Sequence, residues 1–136
     1  MITIKFRGKR KDNGTWIDGD LVTTLTPQGS MTKCPAIYTT YGTRGTYFVY
    51  PESVGQFTGL YDDNGKEIYE GDIILQRGYY GIEPMVVKFE LGAFIVGQHG
   101  GSSTKRRPML IQNRREVIGN IIDNSELMKG NKIEQK

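Results

Sequence analysis

The sequence is short of the residues that most catalytic and metal-binding chemistry uses. Its 136 residues include one cysteine, Cys34, and one histidine, His99. A single cysteine excludes an intramolecular disulfide and a CxxC metal knuckle, and a single histidine excludes a His-rich metal site. No apolar run approaches the ~18 residues of a membrane span, and no apolar segment follows the basic N-terminus as in a signal peptide. We therefore expect no cofactor, no membrane partner and a cytoplasmic location.

Alternation of apolar and polar residues with a period of two is the main pattern that is present, as in Ile2, Ile4 and Phe6. Short runs rich in β-branched and aromatic residues recur along the chain, separated by turn signals such as Asp63-Asn64-Gly65. Many short strands at this spacing predict an all-β fold, a small partly closed barrel or sandwich. At most one or two short helices are expected, one of them capped by Asn124 or Ser125.

The length fits a single domain, because domains usually contain ~100–150 residues. We predict one all-β domain over residues 1–128 and a frayed polar tail over 129–136. An internal division into an N-terminal β subdomain at 1–55 and a barrel at 56–123 is left open. The residues predicted to supply much of the core are Phe6, Trp16, Phe57, Leu60, Ile73, Val87, Phe89, Phe94, Ile118 and Ile121.

The charge is modest in sum but uneven in distribution. Eighteen basic and fifteen acidic residues leave a net charge of +3. The first eleven residues contain five cations and no acid, residues 105–115 contain five more, and most acids lie between Glu52 and Glu90. If the two basic segments meet on one face, they form a patch that attracts phosphate. The alternative is that they are solvated loops and edge strands, where charge discourages pairing between sheet edges.

Four motifs together carry a family resemblance. The centre of the chain contains Gly55–Leu60 (GQFTGL) and Asp63–Ile73 (DNGKEIYEGDI), and the ends contain Ile4–Lys9 (IKFRGK) and Val117–Ile121 (VIGNI). With these motifs the chain resembles the YopX family of small phage and prophage proteins. The resemblance implies an all-β fold, a phage or prophage origin and therefore the cytoplasm of a bacterial host. It implies no reaction, because no biochemical role of the family can be carried over.

The pair Gly71-Asp72 is consistent with the same fold. Glycine permits a sharp bend before a strand, and an aspartate can accept backbone N–H bonds across the turn. The strands that follow in the C-terminal half are similar to the core of SH3-like barrels, a likeness of fold that says nothing of a ligand.

Two groups of residues permit a catalytic interpretation. Asp18, Asp20 and Asp72 would serve a metal-dependent hydrolase if they converged with further ligands, although Asx-turn chemistry explains them more simply. Cys34 and His99 would form a nucleophile and base if they were close in space, but no motif flanks either residue. We therefore predict that the protein is not an enzyme and holds no metal.

The favoured function is a non-enzymatic β module that binds a macromolecule, with a protein of the host or phage as the expected partner. Weak nonspecific nucleic-acid binding in phage DNA metabolism and a role in particle assembly are alternatives, and a second copy of the chain is left open as a partner. Basic clusters and the tyrosine pair between Gly78 and Gly81 supply the candidate contacts. These candidate binding residues are Lys9, Arg10, Tyr79, Tyr80, Lys105, Arg106, Arg107, Arg114 and Arg115.

Overall fold

The structure is a computed structural model that describes residues 2–78, 81–97, 107–108 and 115–128. It confirms the all-β prediction, because these residues form two antiparallel sheets and only short 3₁₀ helices, at Pro51–Ser53 and Ser125–Met128. The strands in chain order are β1 Phe6–Lys9, β2 Trp16–Val22, β3 Ala36–Thr39, β4 Gly45–Phe48, β5 Gly55–Tyr61, β6 Glu67–Tyr69, β7 Asp72–Gly78, β8 Gly81–Glu90, β9 Ala93–Gly97, β10 Arg107–Pro108 and β11 Arg115–Asn120. None of the helices among the described residues is long and apolar enough to cross a membrane.

The chain divides into two compact units, Met1–Phe57 and Thr58–Lys136, and the division falls inside β5. In the first unit the strands follow the order β4-β3-β2-β1-β5, and β6 comes next along the same sheet. Ile37 and Val49 are fully buried there. Val49 also forms an isolated bridge with Arg10, which brings the end of β1 beside the end of β4.

The second unit contains a sheet with the order β10-β9-β8-β7-β11. Over the described residues this sheet is open rather than closed into a barrel, so the comparison with SH3-like barrels is not confirmed. Its core is an apolar cluster in which β-branched residues predominate, as expected of strands whose faces are covered. The cluster consists of Ile68, Ile74, Met85, Val87 and Val96, with Leu60, Phe94 and Val117 packed against it.

The hairpin between β5 and β6 confirms the prediction of a tight turn at Asn64-Gly65. Gly65 has a φ of +82° and its N–H donates to the carbonyl of Asp62 at 3.0 Å. The N–H of Asp62 donates in turn to the carbonyl of Lys66 at 2.8 Å, which closes the loop. A positive φ is the reason that glycine is found here.

Asn124, one of the two residues predicted to cap the C-terminal helix, makes a side-chain hydrogen bond to a residue that precedes it in the chain. A 3₁₀ helix does begin at Ser125, but the Asn124 side chain points its oxygen backwards and accepts from the Asn120 N–H at 3.1 Å. This oxygen lies so close to the chain that a Cβ on Gly119 would stand 2.5 Å from it. Gly119 and Asn124 therefore share one tight contact, which leaves no room for a side chain at position 119.

The predicted core is correct in part. Phe57, Ile73 and Val87 are buried, with at most 4% of their surface exposed. Phe89 is 48% exposed, so the prediction of its burial is wrong. The reason is geometric: Phe89 lies on the core face of β8 but close to its end, beyond the cluster.

Phe89→Ala is accordingly expected to cost little stability. The Phe89 and Phe94 rings pack edge to face with their centres 4.9 Å apart. Removing the Phe89 ring therefore loses this aromatic pair, but only about half of the side chain is buried to begin with. We expect a loss of about 1–2 kcal/mol, against ~3–5 kcal/mol for a fully buried phenylalanine. Denaturant unfolding measures this difference, and a loss as large as that of a core residue would contradict the exposed position.

Candidate macromolecule-binding site

The basic N-terminal segment contains β1, and two of its cations, Lys5 and Arg7, lie against aromatic rings of neighbouring strands. The Lys5 ammonium lies 5.3 Å from the centre of the Phe57 ring and 3.8 Å from a carboxylate oxygen of Asp18. The Arg7 guanidinium lies 4.8 Å from the centre of the Trp16 ring. Such cation–π contacts hold long side chains against the sheet while their charge stays near water. The segment thus presents ordered cations, although Asp18 offsets part of their charge.

Arg10 is the cation with the most contacts that fix its position. Its guanidinium lies 3.8 Å from the centre of the Tyr47 ring, and its Nε and Nη2 donate to the two carboxylate oxygens of Asp12 at 2.9 and 2.6 Å. This pairing raises the pKa of Arg10 and lowers the pKa of Asp12 from their ordinary values. Both groups therefore stay charged near neutral pH, and their charges largely cancel.

A cleft of about 470 Å³ lies beside this pair in the first unit. It exists because the bridge between Arg10 and Val49 brings the turn after β1 next to β4. The Lys11 N–H donates to the carbonyl of Phe48 at 3.0 Å, which fixes the backbone of Lys11 at this place. The residues that line the cleft are Lys11, Asp12, Pro27, Thr46, Tyr47 and Phe48.

Two more of the predicted binding residues lie within the described chain. Lys9 belongs to β1, where its N–H donates to the hydroxyl of Ser53 at 2.8 Å. Arg115 is only 4% exposed on β11, opposite the buried Gln76 of β7. Burial lowers the pKa of Arg115 despite the opposing charge of Asp63. Arg115 thus contributes to the interior of its sheet and adds almost no charge to the surface.

Six of the predicted residues lie at an edge of the described chain or outside it. Arg107 belongs to β10, whose backbone alone is described. The remaining five, and His99, lie outside the described residues; they are Tyr79, Tyr80, Lys105, Arg106 and Arg114. Whether the two basic segments share a face stays a prediction.

Two of the three carboxylates considered for catalysis have structural partners. Asp18 pairs with Lys5, and Asp72, which is 1% exposed, accepts the Tyr69 N–H at 2.7 Å. Asp20 is exposed on β2. Among the described residues no group of three His, Cys, Asp or Glu side chains is arranged to hold a metal ion. Cys34 is half-buried, and its sulfur lies 4.0 Å from the Lys11 ammonium nitrogen.

Asp62 is a structural residue that the sequence patterns did not single out. It is 7% exposed, and its two carboxylate oxygens accept from three backbone N–H groups, those of Asn64, Lys66 and Val117. Burial acts to raise the pKa of Asp62, but these three hydrogen bonds together lower it from its ordinary value. The carboxylate joins the β5–β6 turn to β11, a contact between residues 55 apart in the chain.

The turn of the β8–β9 hairpin contains Leu91, a second residue that the sequence patterns did not single out. Leu91 is 92% exposed and has a φ of +53°, the one positive φ of a non-glycine residue in the described chain. Gly92 follows with a φ of +81°, and Glu90 pairs with Ala93. This geometry is a two-residue hairpin turn with positive φ at both residues, for which Asn-Gly is the favoured pair. A leucine at the first position is strained, because its side chain disfavours the left-handed region.

The family model named YopX protein matches residues 5–129. The chain belongs to the YopX family. The match covers every strand described above. The four motifs that carried the resemblance fall on β1, on β5, on the stretch from the β5–β6 turn to the start of β7, and on the end of β11. No curated protein matches the chain.

One solved structure is similar to the chain over nearly its whole length. It is the crystal structure of protein EF1440 from Enterococcus faecalis, which matches with a TM-score of 0.56 and 21% sequence identity. The match covers 95% of this chain and 100% of that one. At this identity the likeness supports the fold and carries no information about a ligand.

Proposed function

We propose that the protein is a non-enzymatic accessory module of a phage or prophage, and that it binds a protein of the host or phage through the β8–β9 hairpin. Membership of the YopX family supports the origin. The exposed, strained Leu91 supports the binding role and is the observation that carries it. The structural partners of Asp18 and Asp72 are consistent with a module that has no catalytic task.

Leu91 at the tip of the hairpin has no explanation in folding. A left-handed leucine costs about 1–2 kcal/mol, and its side chain buries almost nothing, with 92% of it exposed. Phe89 in the same hairpin is 48% exposed, so a partly exposed aromatic side chain lies two residues before Leu91. Strain and apolar exposure at one site are typical of a contact surface, because neither stabilises the free molecule.

The chemistry of the hairpin favours a protein over a nucleic acid as its partner. The six residues from Phe89 to Phe94 contain one acid, Glu90, and no base. Phosphate contacts require cations, whereas leucine and phenylalanine fill apolar pockets at protein interfaces. A partner with an apolar pocket therefore matches the hairpin tip.

Leu91→Asn separates binding from folding. Asparagine accepts the left-handed conformation and completes an Asn-Gly turn, so we expect the variant to be more stable than the wild type by about 0.5–1 kcal/mol. Denaturant unfolding measures the gain. The same variant should lose the partner, because the leucine side chain is gone while the hairpin is intact.

Affinity capture with quantitative mass spectrometry tests the second half of this prediction. The wild type, Leu91→Asn and the control Met31→Gln are immobilised and exposed to lysate of the bacterial host that carries the phage or prophage. Met31 is fully exposed and apolar but lies in the first unit. We expect a protein that the wild type and the control retain and Leu91→Asn does not. Equal capture by all three proteins would reject the hairpin as the binding site.

A further inference from the structure

The net positive charge of the chain comes entirely from the first unit. Residues 1–57 contain seven Lys or Arg and four Asp or Glu, whereas residues 58–136 contain eleven of each. Since Arg10 and Asp12 neutralise each other, Lys11 is the cation whose charge is left uncompensated among the residues that line the cleft. An anionic ligand is therefore favoured at this place.

The walls of the cleft favour a flat apolar group. Pro27, Tyr47 and Phe48 line it, and aromatic side chains are the surfaces on which nucleobases stack. The Tyr47 ring is held in advance: its hydroxyl donates to the carbonyl of Thr43 at 2.9 Å, and Arg10 lies against the ring. A ring that is already ordered loses little entropy when a ligand stacks on it.

We propose that this cleft receives one nucleotide of a single-stranded nucleic acid, with the base against Tyr47 and Phe48 and the phosphate beside Lys11. The volume of about 470 Å³ is in the range of small-ligand sites. A duplex is disfavoured because its bases are stacked and cannot enter a cleft. The site lies wholly in the first unit and is independent of the β8–β9 hairpin.

Fluorescence anisotropy with a labelled oligothymidylate of about eight nucleotides tests the proposal, a length within the ~4–16 nucleotides that a small β module covers. The wild type should bind this strand in the micromolar range and bind a duplex of equal length at least about tenfold more weakly. Unlabelled thymidine monophosphate, added as a competitor, distinguishes a polymer site from a site for free nucleotides. Displacement at concentrations similar to those of the oligonucleotide would assign the cleft to free nucleotides and overturn the strand assignment.

Three substitutions link binding to the cleft. Tyr47→Leu should weaken binding about tenfold. Tyr47→Phe keeps the ring and loses only the hydroxyl that donates to Thr43, so it should weaken binding much less, by about twofold. Lys11→Gln should weaken binding and reduce the slope of log K against log salt by about 0.7, the value for one phosphate contact on a single strand. Lys66→Gln, an exposed lysine of the second unit, removes the same charge and should leave affinity and slope unchanged.

Asp12→Asn provides a variant that gains affinity, so that a loss of folding cannot imitate the result. The change frees Arg10 from its carboxylate, and we expect binding a few-fold tighter with a steeper salt dependence. No binding by the wild type at ~50 mM salt and tens of micromolar protein would overturn the proposal. Equal affinity for single strand and duplex would also overturn it, as would binding of a proline-rich peptide by the cleft in place of the oligonucleotide.

Discussion

Gly19→Ala is expected to unfold the first unit at room temperature or to leave it barely stable. Gly19 lies in β2, and a Cβ built on it would overlap the carbonyl oxygen of Tyr38 on β3 and stand 2.9 Å from the carbonyl carbon. The obstacle is backbone, which cannot move away as the end of a flexible side chain can. A φ of +156° adds to the strain for any residue with a side chain.

The expected cost is more than about 4 kcal/mol, a large part of the ~5–15 kcal/mol that a domain has in total. β3 would have to separate from β2, and the pairs that follow Gly19 would be lost with it, beginning with Asp20 and Tyr38. Trp16, the single tryptophan of the chain, lies three residues earlier on β2. Its fluorescence during urea unfolding therefore reports on the strand that the substitution disturbs.

Gly42→Ala is the matched control for this experiment. Gly42 also lies in the first unit and has a positive φ of +59°, but a Cβ there meets nothing within 4 Å. We expect it to cost about 1–2 kcal/mol, the price of a left-handed alanine alone. If the two variants unfolded at the same urea concentration, the close approach of β3 to Gly19 would not exist in solution.

The features that the sequence did predict depend on neighbours in the chain. Alternation between apolar and polar residues indicates strands, and Asn64-Gly65 indicates a turn, because both patterns follow from backbone geometry within a few residues. The hydrogen bond that the Tyr69 N–H donates to the Asp72 carboxylate belongs to the same class, since it spans three residues. The YopX motifs add the identity of the fold by resemblance.

The features that the sequence did not predict depend on contacts between segments that are far apart in the chain. Alternation assigns Phe89 to the core face of β8 but cannot say that the core ends before this residue. Asp62 has the sequence context of an exposed turn, and its contact with β11 appears only in the folded chain. The cleft beside Tyr47 depends on the bridge between Arg10 and Val49, residues 39 apart. Spacing along the chain contains no signal for such contacts.

Asp62→Ala is the second substitution for which we expect a large effect. It removes the acceptor of three backbone N–H groups, two in the β5–β6 turn and one on β11. Hydrogen bonds to a charged group contribute ~1.5–3 kcal/mol, and the buried donors left behind carry a further cost. We expect a loss of about 3–4 kcal/mol in the free energy of unfolding, measured by circular dichroism in urea.

Asp62→Asn separates the contact that Asp62 makes with the β5–β6 turn from the contact that it makes with β11. Its oxygen can still accept from Asn64 and Lys66, but its NH₂ group would then face the Val117 N–H, where Asp62 Oδ2 accepts at 3.0 Å. We expect hydrogen exchange of the Val117 amide to accelerate much more than that of Lys66. Glu116→Gln, an exposed carboxylate on the same strand, is the control and should change neither amide. If hydrogen exchange accelerated equally at Val117 and Lys66, one carboxylate oxygen would not serve the turn and the other β11.

The acid dependence of stability should follow the same carboxylate. The folded pKa of Asp62 lies below its ordinary value, because the three N–H donors outweigh burial. The unfolded chain therefore takes up this proton first as the pH falls below about 4, the ordinary pKa of an aspartate. The stabilisation is thus complete above that pH and is lost as the pH falls through the lower, folded pKa.

Asp62→Asn has no such proton to bind, so its unfolding free energy should fall less between pH 5 and pH 2 than that of the wild type. Parallel curves for the two proteins would show that Asp62 is not the carboxylate that joins the turn to β11.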